Sequence, residues 1–151
     1  MGVFDSLWSA SSRWISDKVG SVYSTIKDSA GDIIKSLPKT VSQWTSGQYH
    51  APGGYNYCGP GTKLDSAGQP INAADSACRN HDYEYEALTK NRHKISQGDF
   101  NRMIRESDQK LVDNIERSGQ SDLGAMMSKW GIKGKMWMED LGFLDRDRFV
   151  N

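Results

Sequence analysis

The sequence predicts a mostly helical protein, and three observations support that prediction. Apolar residues recur at intervals of three and four in several segments, which is the spacing of one helix face. Glycine or proline stands near the ends of these segments, at Pro38, Gly98 and Gly119, where helices commonly end or begin. The apolar content of 36%, with 10% aromatic residues, is enough for a modest core.

Composition limits the classes of function. The 151 residues fit one compact domain and an appendage. Nineteen basic and nineteen acidic residues give a formal net charge of zero, so charge indicates neither a nucleic-acid partner nor strong adhesion to anionic lipid. We expect no signal peptide and no transmembrane segment, because no apolar run is long enough for either. Two cysteines are too few for a disulfide-dense secreted scaffold.

The first segment, residues 1–39, is predicted to be an amphipathic helical arm. Its apolar residues are Phe4, Leu7, Trp8, Trp14, Ile15, Val19, Val22, Tyr23, Ile26, Ala30, Ile33, Ile34 and Leu37. Membrane binding, self-association or packing on the following domain would each use such a face. Gly2 also fits the M-G-x-x-x-S acceptor pattern for myristoylation. Residues 40–54 are predicted to be a linker, residues 55–145 a domain, and residues 146–151 a tail.

A glycine-rich loop and the helix after it form the candidate site. Tyr57-Cys58-Gly59-Pro60-Gly61, here named the glycine loop, can turn carbonyl oxygens inward, and Asp82 adds a carboxylate. Both are ligands that Ca²⁺ prefers. In a helix over residues 73–89, His81 lies on one row with Ala74, Cys78, Tyr85 and Leu88 and therefore faces the interior. A histidine beside a metal site suits a general base for hydrolysis.

The next predicted helix, residues 99–117, places a carboxylate on its buried face. Asp108 shares the row of Ile104, Leu111 and Ile115. A carboxylate on a core face is costly unless it is paired, and His81 is the expected partner.

The last apolar segment, residues 123–144, has the spacing of an interrupted helix, with Gly131 and Gly134 as its weak points. Its tryptophans and methionines suit either a helix that covers the core or an adaptable surface that faces lipid. His50 and His93 have no metal-ligand spacing and are expected to be solvated.

In combination, these residues resemble a known family. The glycine loop, Asp75, Cys78, His81-Asp82 and Tyr85 resemble the YxGxG loop and DxxCxxHDxxY helix of secreted phospholipases A2. The likeness is closer to the phospholipase domain of the parvovirus minor capsid protein, which also has a YxGPG loop, a later aspartate and an LG…LG segment. That segment is here Leu123-Gly124 and Leu141-Gly142. The resemblance implies two antiparallel catalytic helices and a calcium loop.

The resemblance also implies a reaction, the calcium-dependent hydrolysis of the sn-2 ester of glycerophospholipids. His81 would be the base, and Asp108 and Tyr85 would support it. The Ca²⁺ ligands would be Asp82 and the carbonyls of Tyr57, Gly59 and Gly61, with the Gly59 N–H at the oxyanion. In secreted members the two cysteines at the positions of Cys58 and Cys78 form a disulfide, whereas the parvovirus domains typically lack it. The resemblance therefore leaves this bridge open.

The function expected from this resemblance is that of a viral enzyme. Such a protein would be carried in the virion and would act on the host endosomal membrane, with phospholipid as substrate and capsid proteins as further partners. The alternative is an inactive adaptor that binds membrane or capsid through the same fold. A secreted venom or digestive enzyme has less support, since a signal peptide and most of the secreted cysteines are missing from the sequence.

Overall fold

The computed structural model describes Lys35, Lys39 and residues 48–146. Apart from the two lysines, the predicted arm lies outside the described residues, as do Gly2 and the tail beyond Arg146. Residues 48–146 contain three long α-helices and no strand. The mostly helical fold is thereby confirmed.

The helices are α1 (Ala73–Lys90), α2 (Gln97–Ser118) and α3 (Leu123–Asp140), with a short 3-10 helix (Arg92–Lys94) after α1. Each long helix begins where a polar side chain accepts a hydrogen bond from an N–H of the first turn. The capping residues are Asn72, Ser96 and Asp122. These bonds satisfy donors that have no partner within the helix, and they fix the point at which each helix begins.

α1 and α2 form the centre of the domain. They run antiparallel because only six residues, 91–96, connect them, and α2 also packs against α3. Phe100, Ile104 and Ile115 of α2 are fully or almost fully buried. Their separations of four and eleven residues, about one and three helical turns, place them on the row that the sequence predicted for the buried face.

The glycine loop is attached to α1 by the carboxylate of Asp75. This fully buried side chain accepts hydrogen bonds from the backbone N–H groups of Asn56, Tyr57 and Cys58 at 2.8–3.3 Å, and from that of Ile71 at 3.0 Å. Several charge-assisted bonds from amides offset the cost of burying a carboxylate. A disulfide joins Cys58 to Cys78 one turn further along α1, so the loop is also linked to the helix covalently.

The packed region reaches back beyond residue 55, where the domain was predicted to begin. The N–H of Tyr49 donates to the carbonyl of Pro60 at 3.0 Å, and that of Ala51 donates to Cys58 at 2.7 Å. A Cβ at Gly59 would lie 1.9 Å from the Tyr49 carbonyl oxygen, so only glycine allows this close approach. His50, expected to be solvated, is in fact buried, with 7% of its surface exposed.

α3 is one continuous helix, so the predicted interruption near Gly131 and Gly134 is wrong. Its first turn is held close to the start of the domain. The hydroxyl of Tyr55 donates to the carboxylate of Asp122 at 2.6 Å. A Cβ on Gly124 would lie 2.4 Å from both the Pro52 carbonyl oxygen and the Tyr55 ring. The first glycine of the LG…LG segment is therefore required by close packing.

We expect Gly124→Ala to destabilise the domain by about 1–3 kcal/mol, because the added methyl group meets backbone and a buried ring. Gly134→Ala, in the same helix, is the matched control. Its Cβ meets nothing within 4 Å, and alanine favours a helix over glycine, so a gain of about 0.5–1 kcal/mol is expected. Urea unfolding followed by circular dichroism measures both values. A similar change in the two variants would contradict the packing argument.

Candidate active site

An open cleft of about 1540 Å³ lies beside α1. Its walls come from the glycine loop, from the inner face of α1 and from one face of α3. His81 and Asp82 line the cleft, as do Tyr85 and Lys135. All the residues predicted for chemistry except the buried Asp108 therefore surround one space that is open to solvent.

His81 and Asp108 form a hydrogen-bonded pair across α1 and α2. Nε2 of His81 lies 2.8 Å from Oδ1 of Asp108, which is fully buried. An ionised carboxylate only accepts hydrogen bonds, so we assign the ring hydrogen to Nε2. The lone pair of Nδ1 is then free to take a proton.

Two opposing effects act on the pKa of His81. Burial disfavours the imidazolium, but the hydrogen bonds and charges of Asp108 and Asp82 favour it more strongly and raise the pKa above its usual 6.5. The pKa of Asp108 is lowered. Burial alone would raise it, but hydrogen bonds from His81, Lys135 and Tyr85 outweigh burial. Asp108 is therefore held as a carboxylate at neutral pH.

Tyr85 packs against the pair. Its hydroxyl donates to Oδ1 of Asp108 at 2.5 Å, and its ring centroid lies 4.2 Å from that of His81. Burial and the charge of Asp108 raise the pKa of the Tyr85 phenol, so it remains a donor. Tyr85 thus fixes the position of both partners.

Lys135 of α3 is a further member of this site that the sequence analysis missed. Its Nζ donates to Oδ2 of Asp108 at 2.6 Å and also contacts Glu139, and its side chain is 8% exposed. Glu139 is buried too and lies 3.7 Å from Arg105. Asp108 is therefore joined to both neighbouring helices by charge-assisted bonds.

Oxygen atoms converge beside His81. The carbonyl oxygens of Tyr57 and Gly59 lie 3.2 and 3.3 Å from the hydroxyl oxygen of Thr62, which the sequence analysis also missed. Oδ1 of Asp82 lies 3.9 Å from Nδ1 of His81. Oδ2 of Asp82 is buried and has no hydrogen-bond partner among the described residues. Burial raises the pKa of Asp82 more than its neighbours lower it.

These oxygens suit a hard cation. One carboxylate and backbone carbonyls are ligands that Ca²⁺ accepts, and a cation would satisfy the unpaired oxygen of Asp82. Among the described residues, no group of three or more histidine, cysteine, aspartate or glutamate side chains could hold a metal. A metal here would therefore depend on the carbonyls of the glycine loop, which is the ligand set that the resemblance implies.

One comparison with known proteins gave a match. A family model described as a phospholipase A2-like domain matches residues 48–129. This range includes the glycine loop, α1, α2 and the beginning of α3, and it ends before Lys135. No curated protein and no solved structure matches the chain.

In the metal-free protein we expect the His81 imidazole to titrate above pH 6.5. Asp108→Asn should lower the pKa of His81, because the neutral amide no longer stabilises the imidazolium while burial still opposes it. NMR titration of the imidazole Cε1–H signal measures this shift, with His93→Ala to assign the signal of the exposed histidine. An unchanged pKa in Asp108→Asn would contradict the pairing.

Proposed function

The chain belongs to the family of phospholipase A2-like domains, and we propose that it hydrolyses the sn-2 ester of glycerophospholipids in a calcium-dependent reaction. The observation that carries this proposal is the pair of His81 and Asp108 at 2.8 Å, with the free Nδ1 beside the converging oxygens. A base that faces a cleft next to oxygens suited to a hard cation is an arrangement for water attack on an ester.

In this mechanism Nδ1 of His81 takes a proton from water as the water oxygen attacks the ester carbonyl. The negative charge of Asp108 stabilises the imidazolium that forms, and its bond to Nε2 keeps the ring in place. The imidazolium then gives the proton to the departing alcohol oxygen. The products are a free fatty acid and a lysophospholipid.

The proposed calcium ligands are Asp82 and the carbonyl oxygens of Tyr57, Gly59 and Gly61. Bound calcium would polarise the ester carbonyl and stabilise negative charge on its oxygen. The N–H of Gly59 is the proposed backbone donor to the same oxygen. Gly59 has a φ of 136°, and the fit of Tyr49 against it fixes the orientation of this peptide.

Lys135 is proposed as a positioning residue. Its ammonium binds Oδ2 of Asp108, whereas His81 and Tyr85 bind Oδ1. Both oxygens of the carboxylate are therefore held in place. Glu139 in turn holds Lys135. Loss of Lys135 would let the Asp108 carboxylate rotate and would weaken the orientation of His81.

The proposed setting is a virion whose enzyme damages the host endosomal membrane as the virus enters the cell. Support comes from the YxGPG form of the loop and the LG…LG segment, which resemble the parvovirus domain. No described helix has the length and apolarity needed to cross a membrane. Capsid proteins are the proposed partners of the arm, and Gly2 is its proposed site of acylation.

We expect wild-type protein to release the sn-2 fatty acid from mixed phospholipid vesicles with calcium and not with chelator. His81→Ala should lower the rate by about 10³-fold or more, because no other base reaches the water. His93→Ala is the matched control, since His93 lies in the 3-10 helix away from the cleft. Folded wild-type protein that releases nothing under any condition would favour the inactive adaptor.

We expect Lys135→Met to lower kcat about tenfold with a smaller change in KM. The substitution would displace His81, the proposed base, and leave the bound substrate in place. Because this change also removes the closer of the two described cationic partners of Glu139, the double variant Lys135→Met/Glu139→Gln is the matched control. If Lys135 acts on Asp108, stability recovers in the double variant and kcat stays low. Recovery of kcat with stability would show that Lys135 only neutralises Glu139.

A further inference from the structure

The outer face of α3 is apolar and exposed. Met127, Trp130, Gly134, Trp137 and Leu141 follow one another at intervals of three and four and so form one row, here named the tryptophan face. The exposed fractions are 53% for Met127, 61% for each tryptophan and 50% for Leu141. The alternative that this segment only covers the core is therefore wrong for these side chains.

This face continues into the cleft. Met127 belongs to the tryptophan face and also lines the cleft, together with Ser128, Gly131 and Ile132 of the adjoining face of α3. No charged residue interrupts the row between Met127 and Leu141. An apolar path thus leads from the exposed tryptophans over the rim of the cleft to the base.

We propose that the tryptophan face is the surface by which the enzyme lies on a phospholipid bilayer, an inference that rests on the proposed function. Any occupant of the face also covers Met127 at the rim of the cleft. A protein bound there would obstruct the entrance, whereas a bilayer would supply the substrate. For an enzyme that turns over, the occupant is therefore the lipid surface.

The chemistry of the face suits the boundary between head groups and acyl chains. Tryptophan combines a large apolar body with one N–H donor and is favoured at that depth. The Nζ atoms of Lys129 and Lys133 lie 5.7 and 5.6 Å from the centre of the Trp130 ring. Both lysines pair with Glu116, and their ammonium groups beside the Trp130 ring are donors suited to lipid phosphates.

The test uses the full chain with Trp8, Trp14 and Trp44 changed to phenylalanine, so that fluorescence reports only Trp130 and Trp137. His81→Ala is included so that no lipid is hydrolysed. Phosphatidylcholine vesicles with brominated acyl chains should quench this fluorescence, because bromine quenches only at short range. Quenching would show that the tryptophan face lies in the bilayer, whether or not the protein is an enzyme.

The matching functional test compares Trp130→Ala/Trp137→Ala with Tyr83→Ala, which removes an exposed aromatic ring that does not line the cleft. Loss of each tryptophan should weaken vesicle binding about tenfold, whereas Tyr83→Ala should bind as wild type. Hydrolysis of a short-chain phosphatidylcholine below its micelle concentration should stay within about twofold in both variants.

The outcomes separate this proposal from the function itself. If wild type hydrolyses neither vesicles nor the soluble lipid, the proposed enzyme activity fails. The quenching measurement still shows whether the tryptophan face enters the bilayer. Absence of quenching, or equal loss of vesicle binding in both variants, would overturn the tryptophan face as the membrane surface. Tryptophan emission that is already blue-shifted in buffer without lipid would show that the arm or a second copy of the chain covers the tryptophan face. That result would also overturn the proposed membrane surface.

Discussion

The carboxylate of Asp75 accepts hydrogen bonds from four backbone N–H groups, and the rest of the site depends on these bonds. Glycine-rich backbone has many conformations, and a single buried acceptor selects one of them. The backbone of Asn56, Tyr57 and Cys58 is bent, and its three successive N–H groups point at this one carboxylate. The oxygens of Tyr57 and Gly59 then approach the same Thr62 hydroxyl. A structural hydrogen-bond network thus holds the loop carbonyls on which the proposed cation site depends.

Asp108 has a similar role between helices. It accepts bonds from His81 and Tyr85 of α1 and from Lys135 of α3 while it lies on α2. A buried carboxylate without such partners would be protonated or would destabilise the fold. The same bonds that keep Asp108 charged therefore keep the three helices in register. Stability of the domain and the position of His81, the proposed base, thus depend on the same bonds.

The sequence predicted those parts of the molecule that follow from helix periodicity. The phases of α1 and α2 place His81 and Asp108 on facing rows, and their short connection makes the helices antiparallel. Lys135 could not be found in this way, because periodicity does not define how α3 is rotated against α2. His50 was misjudged because polarity and spacing give no sign that Tyr49 and Ala51 hydrogen-bond to the glycine loop. An apolar row such as that of Trp130 and Trp137 is equally consistent with core and with exposed surface.

α3 carries residues of two proposals, the positioning of Asp108 and the contact with lipid. Lys135 and Trp130 are five residues apart, so their side chains point to directions about 140° apart around the helix. One direction leads to Asp108 and the other to solvent. Both side chains belong to one helix of 18 residues, so contact at its outer face and the bond to Asp108 involve the same element. The proposed contact with lipid and the proposed positioning of Asp108 therefore use different faces of the same helix, α3.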